Sequence, residues 1–136
     1  MSLNSVATFS TISTEKVQQA KQDGVPIIDI RRIDEFQKYG IIPGSHKLTF
    51  YDKNGNYNTQ KWLSKFSEIV KDKNQPFVLV CAHANRTKTV GRFLSDKLGY
   101  KNVQELSGGI LDGWIGKNLA TTKLLNQPKS WWKFWQ

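Results

Sequence analysis

The run Phe-Val-Leu-Val at positions 77–80 is the feature that most constrains the fold. Successive side chains of a strand point to opposite sides, so four consecutive apolar residues place hydrophobic groups on both faces. Such strands are typical of a parallel sheet that helices cover on both sides. The run therefore predicts a fully buried strand in an α/β sheet.

Strand and helix patterns alternate on either side of this run, which favours the same architecture. Further strands are predicted at 25–30 and 103–106, with a short fourth at 46–48 and a weak edge strand at 8–12. Apolar residues at helical spacing predict helices over 62–70 and 90–98, and shorter helices are predicted at 14–22, 33–39 and 109–118. A chain of 136 residues fits one such domain.

Cys81, the only cysteine in the chain, follows the apolar run directly. In a parallel sheet this position lies at the carboxyl edge, where ligands bind. The next loop contains small residues, which allow several backbone N–H groups to face one point, and leads into a helix predicted to begin near Arg86 or Thr87.

The charge of this helix start is unusual. First turns ordinarily carry acidic residues, whereas this one begins Arg-Thr-Lys. A reactive thiolate or a bound anion at the helix start would account for the two cations. The alternative is a buried cysteine that acts as a small apolar residue.

The segment from Cys81 to Thr87, CAHANRT, resembles the active-site loop of the rhodanese family, C-x-x-G-x-R-[ST]. Two flanking stretches are similar to other signatures of this family, namely IDIR with the EF pair and the segment GIIPGS, and GYKNV with the later GG pair and Trp114. The resemblance covers residues 10–119. It leaves 1–9 as an N-terminal extension and 120–136 as an aromatic and basic tail.

This sequence departs from the family pattern at two positions. Ala84 stands where the family's loop has glycine, and Ile41 replaces the histidine of the G-H-I-P-G stretch. Alanine restricts the backbone if position 84 requires a positive φ. Neither change removes the nucleophile.

The resemblance implies a fold and a reaction. The fold is a single α/β rhodanese-like domain with a mostly parallel sheet of about five strands and helices on both faces. The reaction is the transfer of a sulfane sulfur from thiosulfate or a similar anionic donor to a thiol or protein-cysteine acceptor, through a persulfide on Cys81. No metal and no organic cofactor is implied.

The resemblance also implies roles for the residues of the site. Cys81 is the nucleophile, and the persulfide-binding loop consists of Ala82, His83, Ala84, Asn85, Arg86 and Thr87. Arg86 would stabilise the anionic persulfide, and Thr87 would donate a hydrogen bond to sulfur. Asp29 and Arg31 are expected to support the loop, with the carboxylate of the neighbouring strand end pairing with Arg86.

Two other functions stay open from the sequence. A cysteine phosphatase or arsenate reductase of the same fold carries a C-x5-R loop, because its arginine grips two oxygens of a tetrahedral anion. Here only four residues separate Cys81 from Arg86. The second alternative is a sulfur carrier or rhodanese-like interaction module that does not turn over by itself.

The net charge of +9 raises the question of a polyanionic partner. The lysines are scattered along the chain, so we expect a solvated surface and no nucleic-acid partner. In the segment 129–136, aromatic residues alternate with lysines. Such a tail is typical either of contact with a membrane surface or of packing on an apolar patch.

Metal binding and export are not indicated. His46 and His83 lie far apart without a cysteine pair, so no structural metal site is predicted. The first residues lack the basic and apolar regions of a secretory signal, and no segment reaches the roughly 20 apolar residues of a membrane span. We therefore expect a cytoplasmic protein, with a periplasmic location left open and the oligomeric state undetermined.

Overall fold

A computed structural model of the chain describes residues 7–123, in which five strands alternate with five α-helices. The strands are β1 (Phe9–Ile12), β2 (Ile27–Asp29), β3 (His46–Lys47), β4 (Phe77–Val80) and β5 (Val103–Leu106). The helices are α1 (Thr14–Gln22), α2 (Ile33–Tyr39), α3 (Thr59–Ile69), α4 (Arg86–Arg92) and α5 (Gly109–Gly113). A π-helical turn at Phe93–Lys97 continues α4, and a 3-10 turn at Ile115–Lys117 follows α5.

The strands form one sheet in the order β1-β5-β4-β2-β3, and all four pairings are parallel. The predicted five-stranded α/β sheet is therefore confirmed. β4 lies at its centre, and each of its four residues is buried. The apolar run at 77–80 predicted this position because the central strand is covered on both faces.

Helices cover both faces of the sheet, as predicted. Alternate residues of β4 point to two separate hydrophobic clusters, Phe77 and Leu79 to one, Val78 and Val80 to the other. The first cluster is completed by α3 and α4, and the second by α1 and α5. Cys81 continues the alternation and lies in the first cluster.

Several element boundaries differ from the sequence pattern for local reasons. The strand predicted at 25–30 is shortened to β2, because Pro26 has no N–H to donate, although its carbonyl oxygen accepts from the N–H of Val78 at 2.9 Å. The helix predicted from residue 62 begins at Thr59, because the side chain of Asn58 caps the N–H of Lys61. The helix predicted over 109–118 is interrupted at Trp114, whose φ of −133° is not helical.

The end of the described chain packs against α2. Thr122 pairs with Ile41 in an isolated antiparallel bridge, and the Thr121 hydroxyl donates to the carbonyl oxygen of Tyr39 at 2.9 Å. The predicted extension through residue 6 and the tail from residue 124 lie outside the described residues. Between residues 7 and 123, no helix has the length and apolar character needed to cross a bilayer.

Candidate active site

Cys81 directly follows β4 at the carboxyl edge of the sheet, as the sequence predicts, and is only 1% exposed. Its sulfur has two contacts with Thr87. The backbone N–H of Thr87 donates to Sγ at 3.4 Å, and the Thr87 hydroxyl oxygen lies 3.5 Å from Sγ. One backbone amide of the predicted loop therefore faces the sulfur directly.

The loop makes its tight turn at Ala84, which has a φ of 64°. This is the left-handed conformation that glycine adopts freely and that costs an alanine roughly 1 kcal/mol. The alanine therefore takes the backbone angle expected of the family's glycine. Its side chain is 4% exposed, so the surrounding contacts hold it in this strained position.

Helix α5 supports the loop from behind. The N–H of Ile110 donates to the carbonyl oxygen of Cys81 at 2.8 Å, and the N–H of Leu111 donates to that of Ala82 at 3.1 Å. At Gly109, a Cβ atom would lie only 2.2 Å from the carbonyl oxygen of Ala82. The backbones approach so closely that only glycine fits. The GG pair predicted the family but not this contact.

Fixing these carbonyl groups leaves the N–H groups of the loop available. No backbone N–H of residues 82–86 donates to another backbone group within the described part of the chain. Helix α4 begins within this range, at Arg86, and the N–H of the next residue, Thr87, donates to Sγ of Cys81. The loop thus offers further N–H groups next to the one that contacts the sulfur.

Arg86 is held by a carboxylate on α2. Its Nη1 and Nη2 atoms donate to Oε1 and Oε2 of Glu35 at 2.7 and 2.8 Å. The expected pairing of Arg86 with Asp29 is therefore wrong, because Glu35, in the first turn of α2, reaches the loop. The EF pair is one of the family signatures, but no local pattern indicates the partner of its glutamate.

The charges of this pair reinforce each other. Burial alone would raise the pKa of Glu35, but the hydrogen bonds from Arg86 and from the N–H of Arg32 outweigh burial and hold the pKa below its usual value. The hydrogen bonds that Arg86 donates to Glu35 raise the pKa of Arg86. The pair stays ionised over the neutral range and fixes the beginning of α4 to the beginning of α2.

Asp29 and Arg31 form a separate buried pair. Arg31 Nη2 donates to Asp29 Oδ2 at 2.7 Å and to the carbonyl oxygen of Gly40 at 2.7 Å, with both side chains at most 1% exposed. Burial raises the pKa of Asp29, and the hydrogen bonds and charge of Arg31 oppose that rise. The pair joins the end of β2 to the end of α2, and neither side chain forms a hydrogen bond with residues 81–87. Its support of the loop stays a prediction.

The sequence predicts that the hydroxyl of Thr87 donates to sulfur, and this prediction is wrong. The hydroxyl donates to Oε1 of Glu105 at 2.5 Å, so its oxygen is free to accept the proton of the Cys81 thiol. Glu105 is fully buried on β5 and also accepts from the hydroxyl of Thr11 and from Lys88 Nζ, at 2.6 and 2.7 Å. Lys88, expected to face an anion, is thus paired with this carboxylate.

Sequence reasoning missed Glu105 because its residue type is common and its partners lie far away along the chain. Burial was the only available signal. β5 neighbours the central strand, and a charged residue inside such a strand needs partners. Val103 and Leu106 of the same strand are buried with it.

His83 lies at the rim of the loop. Its Nδ1 atom is 3.2 Å from Oδ2 of Asp112, and the two side chains are 54% and 69% exposed. Asn85 precedes α4 as its cap residue, but its side chain makes no capping hydrogen bond. The described residues contain no cluster of three metal-ligating side chains.

Comparisons with known proteins agree with the fold and the loop. A family model described as "Rhodanese-like domain" matches residues 13–116. The thiosulfate sulfurtransferase GlpE of Pseudomonas aeruginosa is 28% identical over 102 residues, which are 75% of this chain and 81% of that protein. A rhodanese domain-containing protein of Drosophila melanogaster is 30% identical over 81 residues, or 58% of this chain and 72% of its own length.

A solved structure shares the fold. The solution structure of the polysulfide-sulfur transferase homodimer from Wolinella succinogenes matches with a TM-score of 0.64 at 21% identity, covering 84% of this chain and 78% of that one. Together, the matches in sequence support a sulfurtransferase in general. The extent of the family match, the parallel sheet and the cysteine loop at its carboxyl edge place the chain in the rhodanese-like domain family.

Proposed function

We propose that this protein moves a sulfane sulfur from thiosulfate, or a similar anionic donor, to a thiophilic acceptor through a persulfide on Cys81. The observation that carries the proposal is the Cys81 sulfur at the carboxyl end of the central strand, 3.4 Å from the N–H of Thr87. A positioned N–H group stabilises negative charge on sulfur in a site that excludes water. The relatives named as thiosulfate sulfurtransferases support the choice of donor.

The first step is a displacement at the donor. The Cys81 thiolate attacks the outer sulfur of thiosulfate, a new S–S bond forms, and the S–S bond of thiosulfate breaks. Sulfite leaves with the electron pair, and the persulfide Cys81–S–S⁻ remains. The unpaired N–H groups of residues 82–86 are available to this anion.

The second step regenerates the thiolate. An acceptor such as cyanide, a small thiol or a protein cysteine attacks the outer sulfur and forms a bond to it. The S–S bond to Cys81 then breaks, and the electron pair returns to Cys81. The N–H of Thr87 stabilises this leaving thiolate, because it lies next to Sγ itself.

The site is less suited to a phosphatase. A phosphate-binding arginine grips two oxygens with both terminal nitrogens. In this protein both terminal nitrogens of Arg86 are bonded to Glu35. Arg86 therefore positions the loop, and the sulfur-transfer proposal uses it in that role alone.

Intact-protein mass spectrometry after incubation with thiosulfate tests the proposal. The wild-type protein should gain the mass of one sulfur atom and lose it when cyanide is added, with thiocyanate formed. Cys81→Ser should gain nothing, and turnover should fall by at least about 10³-fold because the nucleophile is absent.

Three results would count against the proposal. A wild-type protein that gains no sulfur from thiosulfate or from a polysulfide would contradict the persulfide. Efficient turnover of p-nitrophenyl phosphate would instead favour a phosphatase. Persulfide formation with slow release to every small acceptor would favour a sulfur carrier over a catalyst.

A further inference from the structure

A groove with a volume of about 910 Å³ lies beside the active-site edge of the sheet. Its walls are α2, α3 and the segment that follows β3. Three lysines line this groove, Lys47, Lys61 and Lys65, and we name it the lysine groove. Lys61 and Lys65 lie one turn apart on α3, and the fold brings Lys47, at the end of β3, beside them.

Two exposed apolar side chains lie at the rim of the lysine groove. Within residues 7–123, only two large hydrophobic side chains are strongly exposed, Ile33 at 64% and Tyr57 at 62%, and both line this groove. The ring of Tyr57 stacks on Phe50, with centroids 5.4 Å apart, which fixes its position. Exposed apolar side chains collected at one concave site are typical of a protein–protein contact.

The charge of the lysine groove favours a partner with negative charge. None of its three lysines forms an ion pair with any described residue. Asp52 is the one acidic residue in the lining, and its Oδ1 atom already accepts from the N–H groups of Asn54 and Asn56. The groove is therefore complementary to an anionic partner.

The shape of the groove favours a peptide over a small molecule. Sites for small ligands usually bury more than about 70% of the ligand surface. Here the two apolar side chains at the rim stay mostly in solvent. An extended segment that lies along the groove would cover them and place carboxylates beside the lysines.

The position of the groove connects it with Cys81. Its segment 48–50 follows β3, and Cys81 follows β4, with only β2 between these strands. Two strand spacings separate the two sites by about 10 Å along the carboxyl edge. α2 contributes to both sites, since Ile33 and Phe36 line the groove while Glu35 holds Arg86.

From these features we infer that the lysine groove binds an acidic segment of a partner protein that presents the sulfur-accepting cysteine to Cys81. The inference rests on the proposed sulfur transfer and names its acceptor class. The apolar rim would bind a hydrophobic side chain of the segment, and the lysines its carboxylates. A distance of about 10 Å leaves about three extended residues between the docked part and the cysteine.

Fluorescence anisotropy with a labelled synthetic peptide tests the inference. The peptide carries glutamates around a central leucine, followed by a cysteine, and a second peptide has glutamine in place of each glutamate. The triple variant Lys47→Glu, Lys61→Glu and Lys65→Glu should raise the Kd of the acidic peptide by about tenfold or more. The glutamine peptide should bind weakly to all proteins.

A matched control carries the same change of charge elsewhere. Lys16, Lys97 and Lys117 are exposed, lie outside the groove lining, and are replaced by glutamate in the control variant. The control should keep the wild-type Kd at the same ionic strength. Equal weakening in both variants would overturn the inference, since it would mean attraction by net charge alone.

Sulfur transfer provides a second measurement. With the peptide as acceptor, KM should rise in the groove variant, whereas turnover with cyanide should stay within about twofold, because cyanide is too small to use the groove. Persulfide formation from thiosulfate is measured separately by mass. Its absence in the wild-type protein would refute the proposed function, while anisotropy would still report on the groove.

Two further outcomes would overturn the inference. One is equal binding of the acidic and the glutamine peptide. The other is self-association of the wild-type protein in sedimentation that the groove variant abolishes, with no peptide binding, since the groove would then hold a second copy of this chain.

Discussion

The sulfur of Cys81 shares the hydroxyl of Thr87 with the buried carboxylate of Glu105. The Thr87 hydroxyl donates its hydrogen bond to Glu105 at 2.5 Å, so its oxygen is left to accept from the thiol. The hydroxyl therefore has no proton to donate to an anionic sulfur. The charge of Glu105 lies one hydroxyl group away from the sulfur and is paired with Lys88.

Glu105→Gln should consequently speed the proposed transfer of sulfur from thiosulfate to Cys81. The substitution removes the negative charge and frees the Thr87 hydroxyl to donate to sulfur, and both effects stabilise an anionic sulfur. The expected increase in the single-turnover rate is about three- to tenfold. Intact-protein mass spectrometry at a series of times after mixing with saturating thiosulfate measures this rate, with Cys81→Ser as the blank.

A second variant checks the sign. Lys88→Met removes the cation that offsets Glu105, so the rate of persulfide formation should fall. If Glu105→Gln instead slowed persulfide formation, the interpretation of this hydrogen-bond chain would be wrong.

Ala84 gives a prediction about backbone strain. Ala84→Gly relieves the left-handed strain but loses a buried methyl group and adds freedom to the unfolded chain, so the free energy of unfolding should change by less than about 1 kcal/mol. Ala84→Val places a β-branched residue at a φ of 64° and should cost about 2 kcal/mol or more. Urea unfolding measures both. A valine variant as stable as the wild-type protein would contradict the positive φ.

At this scale the sequence predicted where the cysteine and its loop lie but not their partners. The position of Cys81 was identifiable because strand end, loop and helix start are all local patterns. The partners of Arg86 and Thr87 are 51 and 18 residues away along the chain. Only the packing of α2 and β5 against the loop determines them, and for that reason the sequence pattern does not indicate Glu35.

Among the helices, α2 and α5 have the clearest effect on the site. α5 binds the carbonyl groups at the start of the loop, and α2 binds its arginine through Glu35. These contacts fix the loop from two sides without contributing a group that touches sulfur. Removing these contacts should therefore lower the stability of the protein and also change the geometry of the loop.

The ion pair between α2 and the loop gives a pH dependence. The pKa of Glu35 in the folded protein lies below its usual 4.5, so the folded state binds this proton less readily than the unfolded state. The resulting stability is fully present above about pH 4.5 and is lost as the pH falls through the folded pKa. Glu35→Gln should lower the free energy of unfolding at neutral pH by about 1–2 kcal/mol and flatten its decline in acid.

Denaturant unfolding at a series of pH values measures this slope. Glu68→Gln is the matched control, because Glu68 is exposed on α3 and forms no ion pair with a described residue. The control should keep the wild-type slope. An unchanged slope in Glu35→Gln would mean that the pair adds nothing to stability.

The order of elements was well predicted, whereas their ends were less so. All five strands lie where the pattern placed them, and β2 and β4, which are buried along their whole length, carry the apolar runs that burial on two faces requires. The ends depend on caps and on single residues such as Asn58 and Pro26, which the hydrophobic pattern does not register. The tail at 129–136 falls outside the described residues, so its interpretation stays a prediction.

For the molecule as a whole, the net charge of +9 should speed the capture of anionic donors. The value of kcat/KM with thiosulfate should therefore fall several-fold when the ionic strength rises from about 0.01 to 0.15 M, as the Debye length shrinks from about 30 to 8 Å. A neutral organic polysulfide is the control donor, and its kcat/KM should change by less than about twofold. Equal salt effects on both donors would exclude electrostatic steering.

The burial of Cys81, at 1% exposure, also governs which sulfur an incoming thiol can reach. The proposed persulfide would extend the side chain by one S–S bond of about 2.05 Å, so its terminal atom would lie farther from the buried position of Cys81 than the inner atom does. Attack at the inner atom would leave the acceptor covalently trapped on the enzyme as a mixed disulfide. Because the inner atom is covered, the thiol would attack the terminal sulfur. That sulfur would then be transferred to the thiol, and the mixed disulfide would be avoided.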